Sequence, residues 1–130
     1  MGHRLHVWEG PMPHSDLEAH RHFVRLADTY LGGPPTPPTE KMAAFVAELQ
    51  SIWPETPDHR VPGCPWKWSA VDAASGPVWD CESVFSEWRI ATAVVAALAE
   101  KHGLIWHDPQ YPELKAGIRP IWDRHPSVVA

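Results

Sequence analysis

The chain has no apolar run near the roughly 20 residues that a membrane helix needs. Its first ten residues, Met1–Gly10, have none of the apolar core of a signal peptide. Both absences predict a cytoplasmic protein that does not enter a membrane. Basic residues are scarce: 11 Lys and Arg stand against 16 Asp and Glu, giving a net charge of −5 with His neutral. No stripe of Lys and Arg exists, which argues against nucleic-acid binding and leaves a basic protein as a compatible partner. Only two cysteines are present, Cys64 and Cys81, and they form no C-x-x-C pair. A zinc site built on them is therefore not expected, and in the cytosol both should be reduced thiols. The chain also lacks a Gly-rich phosphate loop, a G-x-S-x-G elbow, an H-E-x-x-H pair and any internal repeat. No cofactor is expected.

What the chain does have is tryptophan. Eight occur in 130 residues, at Trp8, Trp53, Trp66, Trp68, Trp79, Trp88, Trp106 and Trp122. Each indole buries roughly 150–250 Å² and needs a partner for its N–H. So many in one small core are hard to hide, which predicts that some line a concave surface or an interface, where Trp is enriched. The 15 prolines cluster between apolar segments and punctuate them, as at Pro34, Pro35, Pro37 and Pro38.

In Arg4–Glu9, Leu5 and Val7 alternate with His6 and Trp8, which predicts a strand. Ser15-Asp16-Leu17-Glu18 has the form of a capping box. The helix it opens carries Leu17, Phe23, Val24, Ala27, Tyr30 and Leu31, and Gly32-Gly33 stops it. Thr36, with Pro37 in the first turn, predicts a second helix bearing Met42, Phe45, Val46, Leu49, Ile52 and Trp53. Strand-like segments follow around Trp66–Ala73 and Pro77–Val84, joined by a hairpin turn at Ala74-Ser75-Gly76. Ser86 can cap a third helix striped with Trp88, Ala91, Val94, Val95, Leu98 and Ala99, ending at His102-Gly103. Leu104–Asp108 reads as a last strand.

The order β-α-α-β-β-α-β predicts one α+β domain over residues 1–130. Its core would span about 4–108, with a Pro-rich tail at 109–130. It is a ferredoxin-like split β-α-β plan with an extra helix. Right-handed crossovers then give a four-stranded antiparallel sheet in the order 4-1-3-2, with the helices on one face. Tyr111, Ile118, Ile121 and Trp122 of the tail either fold back over the other face or reach a second subunit.

Val7-Trp8-Glu9-Gly10-Pro11, His102-Gly103-Leu104 and Asp108-Pro109-Gln110 form an ordered set of landmarks. With Phe45…Trp53-Pro54 and Ala74-Ser75-Gly76-Pro77, they resemble a group of small uncharacterised bacterial proteins. The similarity spans about residues 4 to 110. It implies a single α+β domain and brings no catalytic residues with it.

Strand parity marks the candidate site. If Leu5 and Val7 face the helices, Arg4, His6 and Trp8 face away. Asp80 and Glu82 share one face of the third strand, and His107 points out if Trp106 points in. In the order 4-1-3-2, His6 lies between Asp80 and Glu82 on one side and His107 on the other, beside Trp8. Two imidazoles and two carboxylates suit a weak divalent-metal site or an acid–base pair in a Trp-walled groove. The plainer reading, a solvated face of His–carboxylate pairs, is the preferred one. Asp108 and Gln110 end the last strand, where loops often carry function. Asp108 can orient a ligand there, or it can cap the turn before Pro109. His20 and His22 are two apart on a helix and do not share a face. Cys64 has His59 nearby in sequence but no identified base.

These observations favour a non-enzymatic binding protein that holds a protein partner or its own copy on a Trp-rich face. An acidic immunity-type inhibitor is one concrete form, by analogy of size and charge. The alternative is a small-ligand or metal-dependent enzyme using His6, Asp80, Glu82 and His107.

Overall fold

The computed structural model describes residues 2–55, 63–110 and 118–124. Along the chain run β1 (Gly2–Trp8), α1 (Asp16–Tyr30), α2 (Glu40–Ile52), β2 (Ala74–Ser75), β3 (Val78–Val84), α3 (Trp88–Lys101), β4 (Ile105–His107) and α4 (Ile121–Arg124). The four strands form one sheet in the order β2-β3-β1-β4, and every neighbouring pair is antiparallel. Register follows the alternation of side chains: His6 lies opposite Asp80 on one side and His107 on the other.

One face of the sheet presents Leu5, Val7, Trp79, Cys81 and Trp106. It packs against Met42, Phe45 and Leu49 of α2 and Ala91, Val95 and Ala99 of α3. The small residues of α3 let its backbone come close to a sheet carrying bulky indoles, so large and small groups interdigitate. Trp66 meets Trp53 and Trp79 edge to face at 5.7 and 5.5 Å, and Phe45 meets Trp79 the same way at 5.4 Å. The ring quadrupole favours this arrangement over flat stacking. Two of the indole N–H groups find oxygens: Trp79 donates to the Ala70 carbonyl and Trp106 to Glu100, both at 2.8 Å.

The other face is covered as well, which corrects the expectation of helices on one face. Trp8, Val78 and Ile105 form a second core with Ala19 and Phe23 of α1 and with Trp122 of α4. The sheet is therefore the middle layer of three. The alternation of Trp8 with Val7 could not reveal this, because an amphipathic helix fits either face of a sheet whose two sides are both partly apolar. The tryptophan expectation changes with it. Trp8, Trp66, Trp79, Trp88, Trp106 and Trp122 are all buried, since two cores hold what one could not.

The linker from α1 to α2 passes from one face to the other around the β2 edge. Ser75 Oγ accepts from Thr36 N–H and donates to the Tyr30 carbonyl. Gly76 N–H donates to the Thr36 carbonyl at 2.9 Å, and Thr39 N–H donates to the Gly76 carbonyl at 3.0 Å. Gly76 has φ +54°, and the Tyr30 ring rests where a Cβ would stand. Beyond β4, Ile118 packs on the first core and Trp122 on the second, so the tail also changes face. Tyr111 lies outside the described residues.

Several boundaries differ from the sequence reading. Thr39, not Thr36, caps α2, because Thr36 is engaged at the β2 edge. The segment around Trp66–Ala73 is mostly turns held to β3 by the Trp66–Ser83 bridge, and the strand is only Ala74–Ser75. The hairpin therefore turns at Gly76-Pro77. A 3-10 turn at Phe85–Glu87 precedes α3, so Ser86 is not its cap. Leu17, expected in the core stripe of α1, is 58% exposed.

Candidate functional site

The structure places His6, Trp8, Asp80, Glu82 and His107 on one face of the sheet, as the strand parity implied. It does not leave that face open. The Phe23 ring of α1 lies parallel on His6 at 3.5 Å between centroids. Trp122 stands 6.0 Å from His107, and Trp8 is fully buried between them and α1. The face expected to form a Trp-walled groove is thus largely occupied by the protein's own side chains, and beside Trp8 there remains only a cleft of about 140 Å³ lined by Trp8, Gly10, Pro11, His22, Arg25 and Leu26.

Burial decides the chemistry of the two imidazoles. His107 is 4% exposed, and burial pushes its pKa down to about 4. Neighbouring His6 and His20 push the same way, while Asp108 opposes them. His6 is also held below its ordinary value, first by burial, with Arg4 and His20 adding to it and Asp80 opposing it. Near neutrality both rings are uncharged. His6 Nε2 lies 3.4 Å from Asp80 Oδ1 and can donate its proton there. The Nδ1 atoms of His6 and His107 and the Nε1 of Trp8 have no hydrogen-bond partner among the described residues. Each unpaired buried group of this kind costs about 1–3 kcal/mol.

Asp80 sits at the boundary between this core and solvent. Burial alone would raise its pKa. Hydrogen bonds from His6 and Arg4, with the Arg4 charge, outweigh that and hold the carboxyl below the ordinary range. Arg4 donates to both Asp80 oxygens, and its guanidinium also lies over the Trp68 ring, 5.6 Å from the centroid. Glu82, the other carboxylate of the expected pair, instead meets Lys67 at 2.8 Å.

Asp108 and Gln110 belong to a different cluster. Asp108 accepts from His3 at 2.9 Å and from the Gln110 N–H at 2.8 Å. Gln110 in turn accepts from Arg4 N–H and donates to the Arg4 carbonyl. His3 is fully buried and stacks on Trp88 at 4.8 Å. The two residues therefore fasten the start of β1 to the loop after β4, and both are engaged within the fold. Among the described residues, no group of three or more His, Cys, Asp or Glu is arranged to hold a metal ion. Both cysteines are free thiols.

A larger cleft, of about 370 Å³, is lined by Leu31, Trp68, Ser69, Asp72, Ala73 and Asp80. Trp68, 38% exposed, is the most accessible of the described indoles. Asp72 is exposed and has no cationic partner among the described residues. Of these, only Asp80 is among the site residues expected from the sequence. Trp68 lies in an irregular segment without periodicity. The one signal was its flanking by Lys67 and Ser69, which marks a tryptophan that no apolar stripe claims. A second cleft of similar size runs along the outer face of α1, lined by His20, Arg21, Val24, Arg25 and Asp28, and carries the opposite charge.

The fold and site define an α+β protein with two aromatic cores and one acidic, aromatic cleft. No family model, curated protein or solved structure matches the chain. Among the described residues, no helix is long and apolar enough to cross a membrane.

Proposed function

We propose that the protein is a non-enzymatic binding protein that docks a basic protein partner at the cleft beside Trp68. The observation that carries this reading is an accessible indole that lines one cleft together with two carboxylates, Asp72 and Asp80, on a chain of net charge −5. Tryptophan is enriched at the energetic centres of interfaces, and an acidic surround steers a basic partner toward it. An immunity-type inhibitor of a basic toxin is one protein of this kind. The burial of His6 and His107 weighs against the enzymatic alternative, because neither ring can reach a substrate without displacing Phe23 or Trp122.

The test is selection from a random peptide library on the immobilised protein, with Trp68→Ala and Asp72→Asn variants as counter-screens. The expected result is enrichment of basic sequences that both variants lose. Enrichment without basic bias, or enrichment that survives both variants, would overturn the proposal. Sedimentation at rising concentration covers the remaining partner: self-association that Trp68→Ala abolishes would make the docked surface a second copy of the chain and overturn the reading.

A further inference from the structure

We infer that the cleft is a receptor for a guanidinium group, and that Arg4 is a built-in competitor which an incoming arginine side chain displaces. This rests on the docking function proposed above and names the group that enters. Arg4 already engages the two groups that give the cleft its character. Its guanidinium lies over the Trp68 ring and donates to both oxygens of Asp80. A planar fork matched to a carboxylate and laid on an aromatic face is the geometry that arginine satisfies and lysine does not. Trp68 and Asp80 are therefore shown to fit this guest by a guest from the same chain.

Three features say that Arg4 can be displaced. Its side chain is 47% exposed, so release returns it to water. It does not line the cleft, so a guest can approach Asp80 and Trp68 from the cleft side. Its place in the sheet is kept by its backbone, through the N–H and carbonyl bonds to Gln110, and not by the side chain. Asp72 is the group Arg4 does not neutralise. A guest arginine reaching both carboxylates gains a charge contact that Arg4 lacks. Exposed ion pairs and cation–π contacts are each weak, so the exchange is close to balanced and open to competition.

The experiment titrates ¹⁵N-labelled protein with a blocked Gly-Arg-Gly peptide and its Gly-Lys-Gly counterpart. The indole N–H resonance of Trp68, assigned from Trp68→Phe, is the readout. Removing the competitor with Arg4→Met should tighten binding of the arginine peptide on the order of tenfold, the scale of a lost ion pair and ring contact. Arg4→Lys should have a smaller effect, and Asp80→Asn should remove binding from either background. If Arg4→Met binds no tighter than the parent, or the lysine peptide binds as well as the arginine peptide, the inference fails. Circular dichroism shows whether each variant is folded, and Asp72→Asn gives a second test that leaves β1 and β3 untouched. Basic peptides enriched in the library with no response to Arg4→Met would sink this inference and leave the docking function standing. No basic enrichment at all would sink both.

Discussion

Acid should loosen this protein well before its carboxylates titrate, and His107 should account for much of the loss. In the unfolded chain an imidazole titrates near 6.5, whereas burial holds His107 at about 4 in the folded state. Between those values the unfolded chain binds a proton that the folded chain does not. Stability is therefore full above about 6.5 and falls as the pH drops toward 4. The whole gap corresponds to about 3 kcal/mol, of which about 2 kcal/mol is already lost at pH 5. His6, shifted in the same direction, adds to the same limb. The groups around the pair are Asp80 and Arg4 from the sheet, Asp16 and His20 from α1, and Asp108 after β4. Asp80 and Glu48, held below their ordinary range, contribute stability that is lost only at lower pH. Urea unfolding followed by circular dichroism between about pH 7.5 and 5 isolates the imidazoles. His107→Phe removes the proton site while keeping a ring against Trp8 and Trp122, so its stability should fall by about 2 kcal/mol less than the parent's across that range. A variant that falls as steeply as the parent would refute the reasoning.

Two further outcomes follow from packing. Gly76→Ala puts a Cβ 2.7 Å from the Tyr30 ring at a positive φ, so thermal or chemical denaturation should show a loss of about 2 kcal/mol. Trp122→Ala empties part of the second core and should cost about 3–5 kcal/mol. It should also let water reach His107, and an NMR titration should find the His107 pKa moved up toward 6.5.

The sequence was most legible where periodicity was strong. The alternation in β1 and β3 placed His6 beside Asp80 and His107, and the Ser15 cap marked the start of α1, where its side chain accepts from Glu18 N–H. Which face α1 would take was not legible. Phe23 and Ala19 specify an apolar neighbour, but only the crossing of the Pro-rich linker around β2 says which one. The same gap hid how far the expected site is covered. His6, Trp8 and His107 were correctly located on their face but are buried beneath α1 and Trp122. Among the described residues the exposed indole is Trp68, in a turn segment whose position depends on contacts with distant residues such as Arg4 and Cys81. Nothing local in Lys67-Trp68-Ser69 encodes those contacts.

The linker around the β2 edge has a consequence for how this protein can meet others. A bare outer strand is a template on which a foreign strand can grow by backbone pairing alone, whatever its side chains. Here Thr36 and Thr39 already hold the backbone groups of Gly76 at that margin. With Gly76 engaged and β2 only two residues long, a visitor there finds little main-chain ladder to extend, so recognition on this side leans on side-chain chemistry. That makes it selective by composition and more resistant to indiscriminate polymerisation.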